Sequence, residues 1–196
     1  MANSNTQGFG LIPTGTLGST PSTQGQGKYY IVAAYDTDLF QGTSVRVVNG
    51  YIQTAQAVIS KSTVGVLNGI FYNAATTLKP TWANWYNQPI TPANSENITA
   101  FVLDNPFQLF VGSAAAAVLQ VDVFETYGLT VTAAGSEISG QSSSEIVGTV
   151  HATANQWRLL RSAEDPSNND ITANNCSFVV VQNLNQVNSG GLTSAS

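Results

Sequence analysis

The stretch SVRVVNGYIQTA, residues 44–55, carries the clearest structural signal in this chain. Its two halves are rich in β-branched and aromatic residues, a composition typical of β-strands. Between them stands Asn49-Gly50, a pair that tolerates positive φ and therefore suits a two-residue hairpin turn. The stretch predicts a β-hairpin, and similar strand signals recur on both sides of it.

Further strand candidates flank the hairpin, at a spacing of about 8 to 15 residues and with turn sequences between them. KYYIV precedes the hairpin, and TVGVLNGIFY, ITAFVL, FQLFV, LTVTAA, GTVHA, QWRLLR and CSFVVVQNL follow it. KPTWANWYNQPITPANSEN, residues 79–97, is interpreted as a long loop, because its prolines prevent regular pairing. SAAAAVLQVDVF, residues 113–124, is the one good helix candidate, since Ser113 can cap it and alanine favours helix. We therefore expect an all-β fold, a single β-sandwich or barrel domain with at most one or two short helices.

The ends of the chain differ from its middle in composition. Residues 1–27 predict an extended N-terminal arm, residues 28–184 the β domain, and residues 185–196 a flexible C-terminal tail. The arm has no charged side chain and too few apolar residues to offset its own ordering entropy. It is either a disordered tail or an arm that orders against a neighbour, with GFGLIP as its apolar anchor. Its apolar residues are Phe9, Leu11, Ile12 and Leu17.

Charged residues make up only 9% of the chain, against about 25% in a typical soluble domain. A surface with so few charges is weakly protected against association, which is common in proteins whose native state is an assembly. The net charge is −5 and the six cationic residues are scattered, so nucleic-acid binding is not expected. The first residues do not resemble a secretion signal, and no apolar run is long enough for a membrane span. We expect synthesis in the cytoplasm and no contact with a membrane.

Few residues invite a catalytic or metal-binding interpretation. Asp36 and Asp38 do not begin a calcium loop, because Phe40 and Gln41 occupy the positions that need an oxygen ligand and a glycine. The two carboxylates more simply accept backbone N–H bonds in a bend. The single histidine, His151, cannot build a zinc site without other strong ligands. We expect no enzymatic activity, no metal and no cofactor.

Two further features allow more than one interpretation. The single cysteine, Cys176, excludes an internal disulfide and is expected to be a buried core residue. The loop TWANWYN offers Trp82, Trp85 and Tyr86, which could anchor a protein interface, stack on a sugar ring or plug the end of the β domain. The candidate interface residues of the chain are thus Phe9, Leu11, Ile12, Leu17, Trp82, Trp85 and Tyr86.

The order of these elements resembles that of a family of decoration, or cement, proteins found on the heads of tailed bacteriophages. The resemblance extends from about Gly8 to Asn183, through GFGLIPTG, KYYIV, DTDLFQGTSVRVVNGYIQTA and VGVLNGIFYN. It continues through the loop KPTWANWYNQP and the segment ITAFVLDNPFQLFV, the most family-like part. SGQSSSEIV, WRLLRSAEDPSNND and SFVVVQN complete it in the expected order. The alanine-rich stretch after Val111 departs from the pattern.

The resemblance implies a structural virion protein that binds the outer surface of the assembled major capsid shell and stabilises it. It implies the major capsid protein and further copies of this chain as partners, usually in a homotrimer at or near three-fold positions. Deleting residues 1–20 is then predicted to weaken shell binding far more than folding. The alternative is a glycan- or receptor-binding β-module of a phage particle, which the aromatic loop favours.

Overall fold

The computed structural model describes residues 3–18, 25–55, 61–130, 135–147 and 155–188. Within them the chain forms eleven strands and two single 3₁₀ turns, Ala93–Ser95 and Gln120–Asp122. The strands are β1 (Ile12–Thr16), β2 (Gly27–Ile31), β3 (Ser44–Val48), β4 (Tyr51–Thr54), β5 (Gly65–Asn73), β6 (Pro80–Ala83), β7 (Ile98–Leu103), β8 (Gln108–Ser113), β9 (Thr126–Tyr127), β10 (Trp157–Ser162) and β11 (Ser177–Gln182).

The strands form two antiparallel sheets, which make a β-sandwich. Sheet A has the order β1-β8-β11-β10-β9, and sheet B has the order β2-β7-β5-β3-β4. Strand β6 also pairs with β5, at the end of β5 that β3 leaves free. Sheet B curls enough to bring its edge strands β2 and β4 into contact, although these two described strands are not paired. The predicted all-β class is confirmed, and of the two predicted architectures the chain adopts the sandwich.

The hairpin predicted at residues 44–55 is confirmed. Strands β3 and β4 pair in register, with Val47 opposite Ile52 and Val48 opposite Tyr51. Asn49 and Gly50 form the two-residue turn with φ of 51° and 85°, the left-handed conformation that this hairpin connection requires. The local sequence was sufficient to predict this element, because both the turn and the strands are specified within a few residues.

Each sheet has its own hydrophobic core. Under sheet A, the rings of Phe110 and Trp157 meet edge to face with centroids 5.5 Å apart. Val66 of β5 belongs to this core and Leu103 of β7 packs against it, so the two sheets meet there. The second core fills the curl of sheet B. It contains Ile31, Leu39, Val45, Ile52, Val64, Leu67, Ile70, Tyr86, Ile98, Ala100 and Val102.

The described part of the predicted arm, residues 3–18, packs on its own chain. The side-chain amide of Asn3 donates to the carbonyl oxygens of Asp170 and Asn174, at 3.0 and 2.8 Å. The N–H of Leu11 donates to the carbonyl of Gly42, and strand β1 then pairs with β8 at the edge of sheet A. Over these residues the chain is ordered on its own β domain, while Ile12 and Leu17 remain exposed.

The helix predicted over residues 113–124 is wrong. Ser113 is the last residue of β8, Ala114 pairs with Ile146, and the only helical part of this stretch is the 3₁₀ turn Gln120–Asp122. Ala114 and Val118 are buried in the core of sheet A, and the N–H of Val118 donates to the carbonyl of Ile171. These long-range contacts outweigh the modest helix propensity of alanine.

Two other segments also differ from the predictions. The stretch 79–97 is not a loop throughout, because β6 forms a hairpin with β5; Pro80 is the first residue of that strand, a position where proline is tolerated. In the predicted tail, residues 185–188 are described and are bound to sheet B. The side-chain amide of Gln186 bonds both the N–H and the carbonyl of Val47, at 2.7 and 3.0 Å.

Candidate interaction surface

The outward face of sheet B carries a row of aromatic side chains, which we call the aromatic face: Tyr30, Phe71, Trp82 and Phe101. Their strands are adjacent, and the register places Phe71 opposite Trp82 on one side and opposite Thr99 on the other. Thr99 in turn lies opposite Tyr30. The side chains of Tyr30, Phe71 and Trp82 are 51%, 38% and 53% exposed, which is unusual for large apolar groups on a sheet.

Gly69 leaves the space that the indole of Trp82 occupies on the aromatic face. Gly69 lies opposite Phe101 in the sheet, and a Cβ on it would lie 2.6 Å from Cζ2 of Trp82. Since no Cβ is present, the indole of Trp82 extends across the sheet to the ring of Phe101, with centroids 5.0 Å apart at 51°. Two aromatic rings from β6 and β7 thus form one continuous surface above β5.

Lys28 provides the charge of the aromatic face. It lies opposite Phe101, and its Nζ is 5.9 Å from the centroid of that ring, within the range of a cation–π contact. Strands β2, β5, β6 and β7 themselves carry no carboxylate. The carboxylates next to them are already bonded within the chain, Asp104 to the hydroxyl of Tyr29 and Glu96 to the side-chain amide of Asn73, both at 2.8 Å. The aromatic face therefore combines apolar rings with one ammonium group, a composition suited to contact with a flat apolar surface that carries negative charge.

The residues predicted from TWANWYN do not form one platform. Only Trp82 belongs to the aromatic face. Trp85 is half-buried and stacks on Phe40, with centroids 4.9 Å apart and planes 9° apart. Tyr86 is fully buried in the core of sheet B, where its hydroxyl donates to the carbonyl of Tyr35 at 2.9 Å, and burial raises its pKa. Tyr86 therefore offers no surface to a partner, and the end-plug alternative fits it best.

The candidate interface residues of the arm also separate. Leu11 is buried in the core of sheet A, and Phe9 is half-buried. Ile12 and Leu17 remain exposed at opposite ends of β1. The N–H of Leu17 donates to the carbonyl of Phe107 at 2.8 Å, and both of these side chains are about half exposed. We call the pair Leu17 and Phe107 the arm patch.

The structure shows a third exposed apolar surface, which the incorrect helix prediction for residues 113–124 did not indicate. Within the loop between β8 and β9, the side chains of Leu119, Val121 and Phe124 are 56%, 79% and 61% exposed, and we call these three residues the loop tip. The carboxylate of Asp122 accepts the N–H of Leu119 at 3.2 Å. Phe124 has a φ of 73°, and its N–H donates to the carbonyl of Leu159 in β10 at 2.8 Å. The loop tip is therefore fixed to sheet A.

Asp36 and Asp38 have structural partners. Asp36 Oδ1 lies 3.3 Å from the hydroxyl of Thr37, which donates to it. Asp38 Oδ1 accepts the N–H of Gln88 at 2.8 Å, so it fastens the loop after β6 to the loop after β2. Asp38 therefore accepts a backbone N–H group as expected, but from another loop and not within its own bend, and the partner of Asp36 is a side-chain hydroxyl, so the prediction is confirmed only in part.

Other chemistry has little support in the part of the chain that the structure describes. There, no three His, Cys, Asp or Glu side chains are grouped so that they could hold a metal ion. His151 and the predicted strand GTVHA lie outside the described residues. Cys176 is buried in the core of sheet A as predicted, and burial raises the pKa of its thiol. No helix among the described residues is long and apolar enough to cross a membrane.

Comparison with known proteins gives no further guidance, because no protein family, no curated protein and no solved structure matches this chain.

Proposed function

We propose that this chain is a decoration, or cement, protein of a tailed bacteriophage, which binds the outer surface of the assembled major capsid shell and stabilises it as a symmetric homo-oligomer, a homotrimer. The resemblance of its element order to that family supports the proposal, and so does a surface with only 9% charged residues. On this proposal the chain resides on the outside of the virion, with the major capsid protein and its own copies as partners.

The observation that carries the proposal is the presence of several exposed apolar surfaces on different elements of one small β-sandwich. The aromatic face lies on sheet B, the arm patch joins β1 to the turn before β8, and the loop tip projects between β8 and β9. A protein that acts on a small ligand needs one cleft. A protein that bridges several subunits needs several contact surfaces, each of which covers apolar area.

Stabilisation of the capsid shell follows from the coupling between binding and shell assembly. A protein that binds only the assembled shell favours that shell over its separated subunits by mass action. Each contact of one copy can be weak, because copies held together in an oligomer engage the shell with several surfaces at once. Within this scheme we assign the arm patch to the shell, since Leu17 and Phe107 are exposed at the edge of sheet A.

The experiment that tests the proposal mixes the purified chain with heads of the phage that encodes it, from which this protein has been removed. Bound copies per head are counted for expanded and unexpanded heads. We expect saturation at a fixed ratio to the major capsid protein, with preference for expanded heads. Leu17→Ser combined with Phe107→Ser should weaken binding, whereas Ile138→Ser, a change at a fully exposed residue of another loop, should not. Absence of binding to either form of the head rejects the proposal.

The exposed indole of Trp82 favours a second candidate function, the binding of a glycan. An exposed aromatic ring can stack on the apolar face of a sugar, and the hydroxyls of Tyr30 and Thr99 occur on the same face of the sheet as Trp82. A glycan array distinguishes the two functions. Specific glycan binding that Trp82→Ser removes, together with no binding to heads, would establish the glycan-binding module instead.

A further inference from the structure

We propose that the aromatic face of one copy of this chain receives the loop tip of a second copy, in a head-to-tail contact. The two surfaces have complementary chemistry. The loop tip presents three apolar side chains beside the carboxylates of Asp122 and Glu125. The aromatic face presents four rings beside the ammonium group of Lys28. A contact between them buries apolar area on both sides and brings opposite charges together.

Neither surface is covered by the residues that the structure describes, and the two surfaces are not in contact with each other within one chain, so a contact between them joins two copies. Trp82 and Phe124 both remain more than half exposed. The charges also select this arrangement over the symmetric ones. A contact between two aromatic faces or between two loop tips pairs no opposite charges, whereas the head-to-tail contact pairs the ammonium group of Lys28 with the carboxylates beside the loop tip.

The loop tip is held in place before any partner binds. The bonds from the N–H of Leu119 to Asp122 and from the N–H of Phe124 to Leu159 fix its two ends. A fixed surface loses less conformational entropy on binding than a mobile one. Phe124 also adopts a left-handed backbone conformation that a bulky residue takes only at a cost, and asparagine would suit that position better. A contact made by its ring explains why phenylalanine stands there.

This contact deepens the proposed function, because it names a second copy as the partner of the aromatic face. The contact is heterologous, because it joins two different surfaces. Repeating such a contact produces a closed ring when the rotation that relates neighbouring copies adds up to a full turn. A ring of three copies would be the homotrimer. Self-association is measured in the absence of phage heads. A result against this contact therefore does not depend on whether the chain binds the shell, and the two proposals can be rejected separately.

The test is the mass of the full-length protein in solution, measured by sedimentation over a range of concentrations. We expect the wild-type chain to be an oligomer. Phe124→Asn and Trp82→Ser should each be monomeric, with circular dichroism spectra like that of the wild type. A mixture of the two variants in equal amounts should form a dimer, since each supplies the surface that the other lacks. Ile138→Ser serves as the control and should keep the wild-type mass.

A charge exchange identifies the paired groups. Lys28→Glu and Glu125→Lys should each weaken self-association several-fold, and the double variant should restore it. A wild-type chain that is monomeric at every concentration would overturn the inference. So would unchanged oligomers in both Phe124→Asn and Trp82→Ser, or an equal mixture of these two variants that stays monomeric.

Discussion

The indole of Trp82 lies directly over Gly69 on the outward face of sheet B. A Cβ at Gly69 would lie 2.6 Å from Cζ2 of the indole and 2.9 Å from the carbonyl oxygen of Ala83. The missing side chain is therefore what lets the indole of Trp82 extend over β5 and approach Phe101. The arrangement of rings on the aromatic face thus depends on a glycine that lies beneath one of them.

Gly69→Ala is expected to lift the indole of Trp82 off the sheet. The added methyl group must displace both the indole and the neighbouring strand, and overpacking of this kind costs about 1–3 kcal/mol of unfolding free energy. Tryptophan fluorescence should shift to longer wavelength as the indole becomes more exposed to water. Gly15→Ala is the matched control, because a Cβ at Gly15 meets no atom within 4 Å. Unchanged fluorescence and stability in Gly69→Ala would contradict the assigned role.

Elements specified by neighbouring residues could be predicted from the sequence, whereas elements specified by distant contacts could not. The turn at Asn49 and Gly50 needs only its own two residues and the strands beside it. The conformation of the alanine-rich stretch depends on Ala114 pairing with Ile146 and on Val118 bonding to Ile171. Nothing near alanine in the sequence reveals those partners, so its helix propensity was misleading.

The candidate surfaces also depend on contacts between residues that are distant in the sequence, so the sequence predicted them only in part. Trp82 could be selected because exposed tryptophan is a common contact residue, but Phe71 and Phe101 join it only through strand register. That register includes a shift between Leu67 and Gly69. A glycine within a strand pattern indicates a bulge or a close backbone approach, as it does at Gly69, but it does not reveal which side chains of the neighbouring strands then meet. The loop tip could not be found for a different reason, since its side chains would have been distributed around the predicted helix.

Leu11→Ala tests the finding that the arm belongs to the core of its own chain. Leu11 is only 2% exposed, so the truncation should lower the free energy of unfolding by about 2–5 kcal/mol. Leu17→Ala, which removes the same atoms from a half-exposed position, should change it by less than about 1 kcal/mol. Denaturation by urea measures both values. Equal effects of the two variants would place Leu11 outside the core.

The same reasoning changes the prediction for a chain without residues 1–20. That deletion removes β1 and Leu11, and it leaves β8 as the edge strand of sheet A. It should therefore destabilise the fold strongly as well as weaken shell binding, and the two effects cannot be separated. Point variants of the arm patch are the better test, because Leu17 and Phe107 are exposed and their loss spares the core.

Asp38 offers a pair of variants that separate charge from hydrogen bonding. Asp38→Asn keeps an oxygen that can accept the N–H of Gln88, so we expect little change in stability or in shell binding. Asp38→Ala removes the acceptor and should cost about 1 kcal/mol, with faster hydrogen exchange at the Gln88 amide. A large effect of Asp38→Asn would show that the negative charge itself has a role.

The stability of the fold should decline above about pH 10, because buried tyrosines resist ionisation in the folded state, and among the described ones Tyr29 and Tyr127 have the largest shifts in pKa. Burial, reinforced by a bond of 2.8 Å from its hydroxyl to Asp104, raises the pKa of Tyr29 from 10.0 to about 12. Burial, with the charge of Asp122 nearby, raises the pKa of Tyr127 to about 12. A pKa that is higher in the folded state favours unfolding as the proton is lost. Their contribution is therefore fully present below pH 10 and is lost as the pH rises towards 12.

Unfolding by urea at several pH values between about 8 and 11.5 measures this decline. Tyr29→Phe and Tyr127→Phe should each make it shallower, since phenylalanine has no proton to lose, and the double variant should reduce it further. Tyr29→Phe also leaves Asp104 without its donor, so its stability at neutral pH should fall by about 1 kcal/mol, and the comparison must use the slope with pH. If stability fell with pH as steeply in both single variants as in the wild type, the decline would arise from other groups. The raised pKa values of Tyr29 and Tyr127 would then be rejected as its cause.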